Sequence, residues 1–208
     1  MIKTNALTGW QTSDFHPSDR QSDENLIHAI ATGSQAAMRT LYRRHHVRVF
    51  RFIVRLVSDA GRAEDLVSEV FLSVWRRAGT FENRSRVSTW ILSIAKFKAL
   101  TARGRRQDSH LDEAATEMVA DAAETPEQTV LHTDHDAQLR GCIAQMSPEH
   151  REVIDLVYYH DKSVEEVAEI IHLPKNTVKT RMFYARKGLA RLLSKHRDFD
   201  HLVAAQAA

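Results

Sequence analysis

These 208 residues lead us to expect an all-α protein: two small helical domains joined by an acidic flexible linker. Three features carry that expectation. Glycine (7) and proline (4) are too scarce to turn a chain at the corners of a many-stranded sandwich or barrel. Apolar residues recur at helical spacing over long stretches. The charge is arranged in blocks that the formal net of +2 conceals. From Asp23 to Arg106 there are 16 Lys and Arg against 7 acids, and from Gln107 to Leu139 there is no base and 9 acids. Arg140 to Glu169 carries 3 bases against 7 acids, and Ile170 to Arg197 carries 8 bases and no acid. Like charges in a block repel and resist compaction, so the acidic stretch reads as a connector between two basic bodies.

Residues 1–22 are polar and without periodicity, and read as a disordered tail. A first helix starts with Ser22 or Asp23 as N-cap, turns Leu26, Ile27 and Ile30 inward, and ends before Gly33. A second runs from about Gln35 to Asp59, closed by Gly61, with Met38, Leu41, Val49, Ile53 and Leu56 at helical spacing. Arg44, Arg48, Arg51 and Arg55 form a basic stripe along it. The third, about Arg62 to Ala78, ends before Gly79 in the position of a left-handed C-terminal cap. A loop from Gly79 leads to Ser88, the expected cap of a fourth helix ending near Arg103.

The first domain then spans 23–106, the acidic linker 107–135, the second domain 136–195, and a tail 196–208. Helices resume after Pro126, a residue tolerated in the first turn of a helix. Ser147 and Pro148 mark the next start, with Val153, Ile154, Leu156 and Val157 inward. Ser163 with Glu166 three residues on is a capping box for a helix over Val164 to Ile171, burying Val167, Ala168 and Ile171. After His172-Leu173-Pro174 a last helix runs from about Pro174 to Ser194.

A short helix, a tight turn and a second helix that is basic from its first turn make a helix-turn-helix. Such a recognition helix enters the major groove N-terminus first. Its early side chains reach base edges while later cations meet phosphates. Lys175, Asn176, Lys179, Thr180 and Phe183 occupy the leading turns, and Arg181, Arg186, Lys187 and Arg191 accompany them. Lys and Asn suit guanine and adenine edges, and aromatic or methyl groups pack on thymine. Val178, Met182, Ala185 and Leu189 hold the core-facing stripe. A bundle helix with a solvated basic side is the alternative, and eight cations without an acid speak against it.

On the third helix, Ala63, Val67, Val70 and Val74 fall on one face. Asp65, Glu69, Leu72 and Arg76 fall opposite, flanked by Ser68 and Trp75. An apolar residue among acids suits docking on a basic partner helix; a lone exposed Leu beside solvated acids is equally compatible. The segment from Phe81 to Trp90 interleaves aromatics with Asn83, Arg84 and Arg86, and Lys96, Lys98 and Arg103 follow. Aromatic planes between cations serve single-stranded nucleic acid. Phe81 and Trp90 also read as core anchors.

Several function classes fall away. There is no Gly-rich phosphate loop and no nucleophile with a matching base, so no enzyme is expected. His132 and His135 near Cys142 lack a zinc-ligand set, and no metal or cofactor is expected. A single cysteine excludes an internal disulfide and fits a reducing cytoplasm. No secretory leader and no membrane insertion are expected, because the longest uncharged apolar stretch, Val87 to Ala95, is far too short.

The runs AEDLVSEVFLSVW (63–75) and STWILSIA (88–95), with Phe81 between them, resemble the second conserved region of sigma-70 family factors. MSPEHREV (146–153), SVEEVAEI (163–170) and TVKTR (177–181) resemble the fourth. With these two regions alone, the chain resembles the extracytoplasmic-function (ECF) group, over Glu24 to Arg106 and Asp136 to Leu193. The resemblance implies a non-enzymatic initiation factor with bacterial RNA polymerase core, promoter DNA and an anti-sigma factor as partners. It implies that Asp65, Ser68, Glu69, Leu72 and Trp75 dock on the clamp helices of the polymerase β′ subunit, with further contacts to the β subunit. It implies that Phe81, Asn83, Arg84, Arg86, Trp90, Lys96, Phe97 and Arg103 capture and melt the −10 strand. Lys175, Asn176, Lys179, Thr180, Arg181, Phe183 and Arg186 would read the −35 element, and the acidic linker would thread the polymerase channel. Three positions depart from the family: Ser68 stands for the usual Gln, Phe97 for a polar residue, and Val157 for a basic one. The competing readings are a stand-alone helix-turn-helix regulator, which would bind a palindromic operator as a dimer, and a mimic that only titrates an anti-sigma factor.

Overall fold

The computed structural model describes residues 21–109 and 134–206. The expected tail over 1–22, apart from Gln21 and Ser22, and the body of the linker, including Pro126 and His132, lie outside them. Among the described residues the chain is helical, without strands, in two bundles.

The first bundle holds α1 (Asp23–Ala31), α2 (Gln35–Val57), α3 (Ala60–Arg77) and α4 (Val87–Ser109). Ser22 caps α1 by accepting the Asn25 N–H, and Leu26, Ile27 and Ile30 are buried. The chain reverses at Gly33, whose φ of 92° is left-handed and strained for any residue with a Cβ. Ser34 then caps α2 through the Ala37 N–H. Asp23 ties the two helices together, accepting from Arg44 Nη1 at 2.8 Å and from His45 Nε2 at 2.7 Å. The His45 hydrogen bond, ahead of Arg44, holds the Asp23 carboxyl below its ordinary pKa.

Several boundaries differ from those expected. Ser58, left-handed at φ 55°, closes α2 and donates its N–H to the Val54 carbonyl. Gly61 instead lies inside α3, which Asp59 caps through the Arg62 N–H. The third helix does not end on a left-handed Gly79; it tightens into a 3₁₀ turn over Ala78–Thr80. Ser88 does not cap α4: the helix already starts at Val87, the Thr89 and Trp90 N–H groups bond the Arg86 carbonyl, and the Ser88 hydroxyl faces Lys162. The helix also runs on past Arg103.

The second bundle holds α5 (Asp134–Ala144), α6 (Pro148–Tyr158), α7 (Val164–Ile171) and α8 (Lys175–Gln206). Ser147 caps α6 with Pro148 in its first turn, and Ser163 and Glu166 form the reciprocal capping box of α7. His172, left-handed at φ 54°, ends α7 and starts the turn into α8. The last helix extends to Gln206, beyond the expected end near Ser194. Val153, Ile154, Leu156, Val167, Ile170, Val178, Met182 and Ala185 form this bundle's core, while Val157 is only half-buried. Buried apolar residues run without a break into the first bundle, where α7 lies on α4.

Candidate docking and nucleic-acid surfaces

Helix α3 sorts its residues as a 100° turn per residue dictates. Ala63, Val67, Val70 and Val74 are buried. Asp65, Ser68 and Glu69 are exposed around Leu72, which is 48% accessible. Trp75 leans against the core from the edge of this face. Glu69 is held by Lys98 of α4, Nζ to Oε2 at 2.9 Å. The result is an apolar knob with two carboxylates on its N-terminal side and Arg76 one turn beyond, open to solvent.

Phe81 and Trp90 stack on each other, 4.9 Å between centroids and tilted by 38°, and both pack on the core. Asn83, left-handed at φ 54°, Arg84 and Arg86 project from the loop between them. Arg84 turns to Glu82 at 2.6 Å. Along α4, Arg103 is exposed and Phe97 stands 68% accessible, an aromatic plane free of the core. Lys96 is different: it forms an ion pair with Glu152 of α6.

In the helix-turn-helix, Lys175, Asn176, Lys179, Thr180, Phe183 and Arg186 are exposed on α8, and Arg181 is half-buried. The Thr180 hydroxyl bonds the Asn176 carbonyl at 3.0 Å. Lys175 lies 3.7 Å from Glu165, and Arg186 donates to the Tyr158 hydroxyl at 3.1 Å. Lys179, Phe183 and Arg186 line a groove of 710 Å³ whose floor includes Val157, Val164 and Met182.

Pattern reading missed a set of residues where the bundles meet. Lys162 is buried and donates to Ser88 Oγ at 2.6 Å and Thr89 Oγ1 at 3.2 Å. Thr89 donates in turn to Glu166 Oε1 at 2.7 Å. Burial raises the Glu166 carboxyl, but the Ser163 N–H, the Thr89 hydroxyl and Lys162 outweigh it and the net shift is downward. Burial lowers Lys162. Arg55, at the end of the α2 stripe, pairs with buried Asp155 and lies 4.4 Å over the Tyr159 ring. His160 meets the edge of Phe52 and lies 3.4 Å from Asp155. The one sequence signal for this junction is the acidic block over 140–169 facing the strongly basic first bundle.

Comparison with known proteins agrees with this architecture. Residues 41–109 match the family Sigma-70 region 2, and residues 136–189 match Sigma-70, region 4. The chain is 31% identical over 183 residues to the RNA polymerase sigma-H factor of Pseudomonas aeruginosa, covering 84% of this chain and 95% of that one. It is also 31% identical over 180 residues to the ECF RNA polymerase sigma factor BldN of Streptomyces coelicolor, covering 85% and 67%. Among solved structures, CnrH in complex with the cytosolic domain of CnrY shares the fold at a TM-score of 0.60 and 22% identity, over 84% of this chain and 99% of that one. These relatives do not favour a stand-alone regulator. Both regions, in order and on the bundles just described, show that the chain belongs to the sigma-70 family, as a non-enzymatic RNA polymerase sigma factor of the ECF type.

Proposed function

We propose that this sigma factor docks on the β′ clamp helices of bacterial core RNA polymerase through the outer face of α3. From there it directs initiation by reading the −35 element with α8 and opening the −10 element with the Phe81–Trp90 loop and α4. The observation that carries the reading is the exposed Leu72 on the same face of α3 as Asp65 and Glu69, an apolar knob beside two carboxylates suited to a basic helix pair. Taking a base out of the stack costs a few kcal/mol, offset by a pocket and by polymerase contacts. Exposed Phe97 offers a stacking plane, and the exposed Arg84, Arg86 and Arg103 offer cations to phosphates. Duplex contacts fall to Lys175, Asn176, Lys179 and Arg186, all on the exposed side of α8. An anti-sigma protein is the expected regulatory partner. Solved relatives with this fold include the sigma factor RpoE of Bartonella quintana in complex with the anti-sigma factor NepR. The reading places the protein in the cytoplasm, where polymerase works; no described helix is long and apolar enough to cross a membrane.

The test is binding of the purified chain to purified core polymerase without DNA. Tight one-to-one binding is expected for the wild type. Glu69→Arg reverses one of these two charges at an exposed position and should weaken binding by about 2 kcal/mol or more with the helical spectrum unchanged. Undiminished binding by the variant would remove the α3 assignment.

A further inference from the structure

Helix α4 has an outer face that presents carbon to solvent. Trp90, Ser93, Phe97, Leu100, Thr101 and Gly104 fall within an arc of roughly 100°, and each is exposed or half-buried. Phe97 and Leu100, one turn apart, are 68% and 47% accessible. The two hydroxyls on this face are turned back into the helix. Ser93 donates to the Thr89 carbonyl at 3.0 Å, and Thr101 donates to the Phe97 carbonyl at 2.9 Å. The lysines on either side of Phe97 are committed elsewhere, Lys96 to Glu152 of α6 and Lys98 to Glu69 of α3. Around Phe97 the face therefore offers an aromatic ring, an isobutyl group and a threonine methyl, with the nearby ammonium groups and hydroxyl protons already spoken for.

What such a face can recognise follows from the chemistry of the bases. In the major groove the thymine C5-methyl is the apolar group that sets one base apart, and the other marks are hydrogen-bond donors and acceptors. A polar side chain at position 97 would read a hydrogen-bonding edge. Phe97 with Leu100 can hold only a methyl group or a base plane. A bare aromatic platform accepts every base, but here a branched aliphatic chain one turn on carries the apolar contact beyond the stacking plane. The surroundings favour nucleic acid over an apolar protein helix. Arg86 stands one turn before Trp90 and Arg103 one turn after Leu100, both exposed, so cations suited to phosphates flank the carbon face at either end. The face also continues the loop assigned above to the −10 strand, because Trp90 at its start stacks on Phe81. Two helical turns, about 10 Å, separate Trp90 from Phe97.

We propose that Phe97 and Leu100 form a thymine-selecting contact, packing on the C5-methyl of one thymine of the −10 element. The pair sets the base accepted there by apolar complementarity and not by hydrogen bonding. This contact lies within the −10 assignment made above, rests on it, and adds the identity of the base. Covering one methyl group with carbon contributes about three- to fivefold in affinity. A pair without a donor or acceptor gains nothing from the exocyclic amine that cytosine shows in the same place.

The experiment uses holoenzyme reconstituted from the full chain and core polymerase. Selection from promoter-length duplexes randomised over the −35 and −10 segments identifies the thymines that the wild type enriches. Each enriched −10 thymine is then replaced in turn by uracil, which lacks only the methyl. At one position uracil should bind about three- to fivefold more weakly than thymine. F97N/L100N changes two exposed positions and should leave core binding and the helical spectrum as they are. Its holoenzyme should bind uracil and thymine equally at that position and should select a different base there. Uracil equal to thymine at every enriched position, with the selection still shifted by F97N/L100N, overturns the methyl contact and leaves the −10 assignment standing. Discrimination retained by F97N/L100N overturns the assignment to these two residues. Identical −10 selection by the variant and the wild type, with no methyl effect, overturns the contact together with the placement of α4 at the −10 element. Loss of core binding by F97N/L100N gives the ridge to a protein contact and overturns the proposal.

Discussion

Lys179 shows what a single side chain contributes to reading DNA. It stands exposed in the second turn of α8, with no carboxylate partner among the described residues, beside Thr180, whose hydroxyl is committed to the helix backbone. A free ammonium there can reach the acceptors of a guanine edge. Lys179→Ala should cost roughly 1–3 kcal/mol at one base-pair position of the −35 element, checked by competition among duplexes that vary one position at a time. A uniform loss across all of them would make Lys179 a phosphate contact. Its exposure, like that of Asp65, Glu69 and Leu72, was legible because helical phase alone decides which side of an amphipathic helix faces water. Lys162, Asp155 and His160 were not. Their surroundings come from helices distant in the chain, and no local period reports a contact of that kind. Phe81 and Trp90 sit between these cases: aromatic content marked the loop, but only the fold shows them stacked against the core.

At the scale of helices, starts were read better than ends. Ser22, Ser147 and Ser163 cap as expected because an N-cap is settled within four residues, by a hydroxyl and an N–H two or three positions on. Ends were misplaced where a glycine lies near the boundary without forming it, whereas α7, which ends on left-handed His172, was placed as found. Glycines at 61 and 79 drew the boundaries of α2 and α3 away from Ser58 and Arg77. The run of α4 past Arg103 lacks an apolar stripe, so periodicity gave no sign that it continued; past Ser194, Phe199, Leu202 and Val203 stand at helical spacing, a sign the expected boundary passed over. Ser58 yields a prediction of definite sign. It is exposed at φ 55°, a conformation that costs an L-residue roughly 1–2 kcal/mol, and glycine adopts it freely. Ser58→Gly should therefore stabilise the protein, by about 0.5–1 kcal/mol once the greater freedom of glycine in the unfolded chain is subtracted. The urea midpoint measures it; a lower midpoint would mean that the serine side chain does more at this corner than the fold shows.

Across the whole molecule, the junction couples two bundles through groups whose charge depends on being packed. His160 lies there almost fully buried, between the Phe52 edge and Asp155. Burial first, then the positive charges of Arg55, Lys162 and Arg48, push its pKa down to about 4, with Asp161 opposing. The packed imidazole is therefore neutral across the range in which a free one protonates. Above about pH 6.5 both states are neutral and the packed arrangement keeps its full advantage. As pH falls from 6.5 toward 4, the exposed imidazole gains a proton that the buried one refuses. The packed state then loses stability progressively, by up to about 3 kcal/mol. Arg48 and Arg55 from α2 and Lys162 beside α7 all face the ring, so a proton forced onto it adds to an existing positive cluster. Acidification should thus loosen the junction before carboxylates such as Asp23, already held low, begin to titrate. Scattering and thermal midpoints taken between pH 7.5 and 4.5 should show an expanding, less stable chain. His160→Gln, neutral at every pH, should flatten both profiles over that window. A wild-type profile as flat as that of the variant would mean that water reaches His160, and that the bundles are already apart in the free protein.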